Sequence, residues 1–350
     1  MSDPKRLPVI DALKVVAAQA IVLHHFALYG PMSTYARPLA PHLIDALAEH
    51  GRLAVQIFLV IGGFLAARTL APDGKPTDIR VMQSLGKRWL RLGIPYWVAL
   101  LLALLAGAIA RHWVSLPHTP AAPSLGQVLA NALMLQDIVG VPALSAGLWY
   151  VAIDLQLFAL MLLLMWGLRQ MVLEAYATLA VTLGTAVSLL LFNIDPTWDA
   201  WGLYFFGAYG LGTLAWWSAA SQGPSARRWV LVTLIAGLTT LSLIAMWRSR
   251  IALAGLTACI LALCSGPASA QYARQVPRAL AWLSDRSYAL FLVHYPVCLV
   301  FNAAAQRWLP HTPGTQALAL FAAWAVSMWA SHVLYTRVER PAGARPNRNR

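Results

Sequence analysis

Apolar stretches of about 20 residues recur along this chain, and that is the length a helix needs to cross the hydrocarbon core of a bilayer. Hydrocarbon offers no partner for backbone amides and carbonyls, so such stretches are typical of transmembrane helices. Hydropathy and turn residues predict an all-α, polytopic membrane helix bundle with about ten transmembrane helices. The predicted spans are 8–29, 52–70, 89–110, 147–168, 172–192, 200–218, 228–247, 250–265, 287–307 and 316–337.

The composition of the chain supports this fold class. Of its 350 residues, 59% are hydrophobic and only 11% are charged, whereas a soluble domain has about 25% charged residues. This excludes an ordinary soluble enzyme. Because no polar stretch is long enough for a second domain, we predict a single transmembrane domain over residues 1–340. The remaining residues, 341–350, are predicted to be a disordered basic tail.

The net charge of +13 is explained mainly by membrane topology. When the predicted spans alternate across the bilayer, most lysines and arginines fall on the side of the N-terminus. The positive-inside rule then places both termini in the cytoplasm. We therefore expect a lipid bilayer as partner and no nucleic acid. Since Asp11 and Lys14 interrupt the first apolar stretch and no small-residue cleavage site follows, we interpret that stretch as a retained helix.

Lys14 and His25 are the most informative polar residues in the first span. Eleven residues of helix bring both to one face, about 16 Å apart. Ionisable groups inside a membrane usually line a cavity or pathway. A neutral imidazole suits proton abstraction from a hydroxyl, so His25 is a candidate general base. The alternatives are an imidazole bonded to a neighbouring helix, and a local ion pair between Lys14 and Asp11.

Asp154 lies in the middle of the fourth predicted span, where a carboxylate needs a partner. Lys14, His25 or a backbone amide are candidates for that partner. A structural bridge and a catalytic role both remain open for Asp154.

A basic cluster, Lys87, Arg88 and Arg91, lies at the predicted cytoplasmic start of the third span. It either anchors the helix by the positive-inside rule or binds the phosphates of an anionic cofactor, for which guanidinium groups are well shaped.

Two further patterns concern loops and metals. In the connection 111–146, Ser124 is predicted to cap a short interfacial or re-entrant helix. The cysteines do not show metal-ligand spacing, and we predict no metal site; they are Cys259, Cys264 and Cys298.

Six motifs follow one another along the chain: Asp11 to Lys14 followed by His25, Phe58 to Phe64, Arg88 to Arg91 with Pro95, Leu148-Trp149 through Asp154, Ser287-Tyr288 with His294-Tyr295-Pro296, and Glu339-Arg340-Pro341. In order and spacing they resemble the acyltransferase-3 family of bacterial integral-membrane acyltransferases, over nearly the whole chain. The departures from the usual family residues are Lys14 for arginine, Gln56 for aspartate, Gly62 for serine and Asp154 for glutamate.

The resemblance implies transfer of an acyl group, acetyl in many members, from cytoplasmic acyl-CoA to a hydroxyl of a cell-surface glycan or lipid-linked acceptor. It also implies a multi-pass protein of the bacterial inner membrane. Our mechanistic hypothesis on this basis is that His25 deprotonates the acceptor, that Lys14 orients the donor or offsets negative charge, and that Asp154 fixes the imidazole tautomer. The CoA phosphates are expected on the basic cluster.

Two other functions remain open at this stage. A transporter or flippase would use the same polar cavity to move a lipid-linked or amphipathic solute without covalent chemistry. Haem ligation through membrane histidines such as His25 and His294 is the third possibility.

Overall fold

The structure is a computed structural model that describes residues 6–114, 119–221, 226–265 and 276–343. Within these ranges the chain forms fifteen α-helices and no strand. The helices are α1 (Pro8–Leu28), α2 (Pro31–Ala36), α3 (Pro41–His50), α4 (Val55–Leu70), α5 (Val81–Trp113), α6 (Leu125–Ala132), α7 (Leu148–Gln170), α8 (Ala177–Leu190), α9 (Gly202–Ala220), α10 (Ala226–Ala245), α11 (Ser249–Cys264), α12 (Arg278–Asp285), α13 (Ser287–Trp308), α14 (Pro313–Leu334) and α15 (Arg340–Gly343).

Each predicted span coincides with a helix, which confirms a polytopic helical membrane protein. In the described part of the chain, 8 helical segments are long and apolar enough to cross a membrane. The other two predicted spans, 200–218 and 250–265, correspond to α9 and α11, which are not among these 8 segments. At 16 residues α11 is short, while α9 contains several glycine, tyrosine and tryptophan residues and is buried along nearly all of its length. The apolar surroundings of α9 are therefore provided by protein.

The prediction for the third span was wrong at its start. Helix α5 begins at Val81, eight residues before the predicted boundary at residue 89, so Lys87 and Arg88 lie inside a continuous helix. Of the predicted tail, residues 341–343 belong to α15 and residues 344–350 lie outside the described ranges.

The chain separates into two compact units. The first unit contains the described residues of 1–17, 53–88 and 153–284, and the second those of 18–52, 89–152 and 285–350. Helices α1, α5 and α7 each contribute residues to both units.

The first unit is built around α9, which packs against α4, α8, α10 and α11. Two glycines set the distance between α4 and α9. A Cβ atom on Gly63 would lie 1.8 Å from the Tyr209 carbonyl oxygen, and one on Gly212 would lie 1.9 Å from the Val60 carbonyl oxygen. Small residues at a helix crossing let backbones approach this closely. Thr213 reinforces the crossing by donating its hydroxyl hydrogen to the Gly63 carbonyl oxygen at 3.2 Å.

In the second unit, Asn302 of α13 holds the turn between α1 and α2. Its amide nitrogen donates to the Tyr29 carbonyl oxygen at 3.0 Å, and its amide oxygen accepts from the Met32 backbone N–H at 3.1 Å. Gly30 has a φ of 97°, and a Cβ atom there would lie 2.2 Å from Asn302. The turn after α1 therefore requires glycine on two independent grounds.

The predicted short helix in the connection 111–146 is confirmed as α6. The Ser124 hydroxyl oxygen accepts a hydrogen bond from the Gln127 backbone N–H at 3.2 Å, which is the expected N-cap contact. Tyr96 donates to the Asn131 carbonyl oxygen at 2.7 Å and so joins α6 to α5.

The glycine contacts between α4 and α9 generate a stability prediction. We expect Gly63→Ala or Gly212→Ala to lower the free energy of unfolding by about 3 kcal/mol, because the added methyl group forces the two backbones apart. Gly237→Ala on α10 is the matched control, since nothing lies within 4 Å of its Cβ position and alanine favours helix. Thermal unfolding in detergent measures the difference. Equal melting temperatures for all three variants would contradict the packing described here.

Candidate active site

Two buried histidines of the second unit form a hydrogen-bonded pair. The Nδ1 atom of His25 on α1 lies 2.6 Å from the Nε2 atom of His294 on α13. Their ring planes are at 6° to each other and their centroids are 4.9 Å apart, so the two rings meet edge to edge in nearly the same plane. His25 is 9% exposed and His294 is fully buried. The sequence singled out His25 but did not predict this partner.

The hydrogen-bond network assigns the tautomer of both rings. The Nδ1 atom of His294 lies 3.1 Å from the Leu290 carbonyl oxygen, which only accepts hydrogen bonds, so this nitrogen carries the hydrogen. In a neutral imidazole the other nitrogen is then an acceptor. The Nε2 atom of His294 therefore accepts from His25 Nδ1, and the lone pair of His25 is left on Nε2.

Aromatic rings surround the histidine pair. The Tyr29 ring centroid lies 5.5 Å from that of His25, and the Tyr295 ring meets Tyr29 edge-on at 5.3 Å. The His24 ring centroid also lies 5.0 Å from that of His25. The Nδ1 atom of His24 lies 2.9 Å from the Leu47 carbonyl oxygen. The two adjacent histidines therefore have different hydrogen-bond partners.

The geometry of the histidine pair does not fit the haem alternative. Two histidines on opposite sides of one metal ion hold their nitrogens about 4 Å apart, because each metal–nitrogen bond is about 2 Å long. The 2.6 Å contact is a hydrogen bond instead. In the described residues, no group of three or more His, Cys, Asp or Glu side chains is arranged to hold a metal ion.

Asp154 lies in the first unit, where its carboxylate pairs with Arg88. The Arg88 Nη2 atom donates to Asp154 Oδ2 at 2.6 Å, and the Arg88 side chain is 25% exposed. The guanidinium group also lies over the Phe158 ring, 4.9 Å from its centroid. The Nδ1 atom of His25 lies against His294, whereas the Asp154 carboxylate binds Arg88. The sequence missed the Arg88 contact because it placed Arg88 ahead of the membrane helix.

Tyr209 of α9 joins this ion pair as a second residue that sequence analysis missed. A Cβ atom on Gly62 would lie 3.1 Å from the Tyr209 ring and 3.4 Å from Asp154 Oδ1, so both side chains converge on Gly62. The Tyr209 side chain is fully buried, and its hydroxyl has no hydrogen-bond partner among the described residues.

The remaining predicted site residues are Lys14 on α1 and Lys87 and Arg91 on α5. Lys14 is half-buried in the first half of α1. Asp11 accepts hydrogen bonds from Arg6 at 3.2 Å and from Ser284 at 2.6 Å. On α5, Lys87 and Arg91 are exposed and, four residues apart, share one helix face.

The chain is thus a polytopic helical membrane protein with a buried, hydrogen-bonded histidine pair. A protein-family model described as an acyltransferase domain matches residues 7–334. This range is nearly the whole chain, so the protein belongs to the acyltransferase-3 family and is a membrane acyltransferase. The resemblance seen in the sequence motifs is confirmed. Comparisons with curated proteins and with solved structures gave no significant match.

The Arg88–Asp154 pair generates a prediction about stability. We expect Arg88→Met to destabilise the protein by about 3–5 kcal/mol, because the Asp154 carboxylate then stays buried without its counter-charge. The double variant Arg88→Met/Asp154→Leu should recover most of that loss, since neither charge remains. Unfolding temperatures of single and double variants measure this coupling. A double variant as unstable as Arg88→Met alone would show that an unpaired Asp154 carboxylate is not the cause of the loss.

Proposed function

We propose that this protein transfers an acyl group, acetyl in the simplest case, from cytoplasmic acyl-CoA to a hydroxyl of a cell-surface glycan or lipid-linked acceptor. In this proposal it lies in the bacterial inner membrane with both termini in the cytoplasm. The observation that carries the proposal is the buried 2.6 Å contact between His25 Nδ1 and His294 Nε2, together with the 3.1 Å contact between His294 Nδ1 and the Leu290 carbonyl oxygen. From these contacts we infer that the lone pair of His25 lies on Nε2. Membership of the acyltransferase-3 family supports the proposal.

In the proposed reaction His25 acts first as base and then as acid. Its Nε2 atom takes the proton of the acceptor hydroxyl while the hydroxyl oxygen attacks the thioester carbonyl carbon. The resulting tetrahedral intermediate collapses by breaking the carbon–sulfur bond. The departing CoA thiolate takes the proton from His25 Nε2, which regenerates the neutral imidazole. The products are the acylated acceptor and CoA with a free thiol, and no other reactant is needed.

The donor phosphates are assigned to Lys87 and Arg91, whose exposed side chains share a face of α5. A compact ammonium and a planar guanidinium both bind phosphate oxygens well. Arg88 is the third member of this basic cluster, and its bond to Asp154 makes it the link between the phosphate site and α7. Asp154 then acts through Arg88.

Lys14 keeps its predicted role of orienting the donor. It lies on the same helix as His25 and about 16 Å from it along the axis. Its ammonium group offsets negative charge on the donor.

Replacing the proposed base gives the first functional prediction. We expect His25→Ala to lower transfer of labelled acetyl from acetyl-CoA into the lipid and polysaccharide of isolated membranes by about 100-fold or more, the usual contribution of a general base. His24→Ala is the matched control, because it also removes a buried imidazole, and the Nδ1 atom of that imidazole lies against the Leu47 carbonyl oxygen and not against His294. Transfer by His25→Ala at the wild-type rate, with equal folded abundance, would eliminate the proposed role.

The phosphate site gives a second prediction. We expect the double variant Lys87→Gln/Arg91→Gln to raise KM for acetyl-CoA by about tenfold, since charge-assisted hydrogen bonds to phosphate are lost. Acetyl-dephospho-CoA, which lacks the ribose phosphate, should bind the wild-type protein less well than acetyl-CoA does.

The double variant should discriminate less between these two donors than the wild-type protein does. Arg337→Gln is the control, because Arg337 is an exposed cation on the same predicted side of the membrane. An unchanged KM for both donors in the double variant would place the phosphates elsewhere.

A further inference from the structure

We infer that His294 is the positioning residue for His25: it selects the tautomer that leaves Nε2 basic, and it shares the positive charge that forms during acyl transfer. The inference rests on the proposed function and deepens it.

The positioning begins with the Leu290 backbone carbonyl, which can only accept a hydrogen bond. The Leu290 oxygen lies one helical turn before His294 and 3.1 Å from its Nδ1 atom. Since a carbonyl only accepts, it holds the His294 hydrogen on Nδ1. The His294 Nε2 lone pair is thereby directed at His25 across 2.6 Å. The hydrogen bonds therefore run in one direction: His25 donates to His294, and His294 donates to the Leu290 carbonyl. The free nitrogen of His25 is left for the substrate.

Burial and the in-plane hydrogen bond keep this order. His294 has no exposed surface, so water does not compete for its Nε2 atom. The two ring planes are at 6° to each other, which is the alignment that an N–H···N bond between two imidazoles needs. A ring flip of His25 would exchange Nδ1 for a carbon atom and leave the buried His294 acceptor without its donor, which costs about 1–3 kcal/mol.

The same contact supports the reaction when His25 takes up the acceptor proton. Protonation at Nε2 turns His25 into an imidazolium whose Nδ1–H is a stronger donor, and hydrogen bonds to charged groups are stronger than neutral ones. His294 Nε2 receives that hydrogen bond, and the Leu290 carbonyl stabilises the charge at the far end. In Ser-His-Asp enzymes a carboxylate performs this task. Here a neutral ring performs it, while the buried carboxylate of Asp154 pairs with Arg88.

Two substitutions of His294 separate positioning from mere packing. His294→Phe keeps a flat ring at this position but removes the acceptor. His294→Gln loses the ring but places an amide oxygen close to the former Nε2 position. Kinetics with labelled acetyl-CoA and native membranes as acceptor should show kcat lowered about 100-fold for His294→Phe, with KM for acetyl-CoA within about twofold of the wild-type value. The Gln variant should recover at least about tenfold of that loss.

The tautomer itself is the second readout. In protein labelled with heavy nitrogen in its histidines, NMR distinguishes a protonated ring nitrogen from an unprotonated one. The His25 signals are those that disappear in His25→Ala. We expect the wild-type protein to carry the hydrogen on Nδ1 of His25, and His294→Phe to show a mixture of both tautomers.

Three results would overturn the inference while leaving the proposed function intact: near wild-type kcat in His294→Phe, a Gln variant no more active than the Phe variant at equal folded abundance, or a wild-type His25 that carries its hydrogen on Nε2. Full activity of His25→Ala would instead remove the proposed function itself. Size-exclusion profiles in detergent establish equal folding of all variants.

Discussion

The hydrogen bond between His25 and His294 is the interaction on which the account depends. In water an imidazole exchanges its hydrogen between two nitrogens, and neither is reserved for chemistry. In the second unit, where both rings are buried, the Leu290 carbonyl fixes the His294 ring, and the His294 ring fixes the His25 ring. The Leu290 carbonyl oxygen is part of the helix backbone, and through His294 it determines which nitrogen of His25 is basic. The pair needs no net charge at rest, which suits a site built inside a membrane protein.

The first unit contains buried charges, and there an ion pair between Arg88 and Asp154 takes the place of a neutral hydrogen-bonded pair. Arg88 and Asp154 are brought together by α5 and α7, and the aromatic ring of Phe158 covers the guanidinium. Close packing of α4 and α9 through Gly63 and Gly212 provides the framework in which this pair is held. The two units therefore contain the two kinds of polar contact that a membrane interior tolerates: a neutral hydrogen-bonded pair and a compensated ion pair.

Much of the fold could be predicted from the sequence, because span length and hydropathy are local properties. Local sequence was enough to predict the ten apolar helices, the Ser124 cap and the family. The start of α5 was missed, since polar and basic residues before a membrane span give no sign of whether the helix already runs through them. The partners of His25 and Asp154 were missed for a different reason: His294 lies 269 positions from His25 in the chain, and Arg88 lies 66 positions from Asp154. His294 appeared in a family motif, which was the available signal, but no pattern along the chain pairs it with His25.

Departures from the usual family residues take on a physical meaning in this structure. Gly62 lies where Tyr209 and Asp154 converge, and a larger residue would meet both. Asp154, shorter than the usual glutamate, reaches Arg88 at 2.6 Å. The central claim, that His25 catalyses acylation of an envelope component, is tested most directly by mass spectrometry of surface glycans and lipids from cells that carry either the wild-type protein or His25→Ala. The account predicts an acylated species that is present with the wild-type protein and lost with the variant at equal abundance. The same acylated species at the same level in both would contradict it.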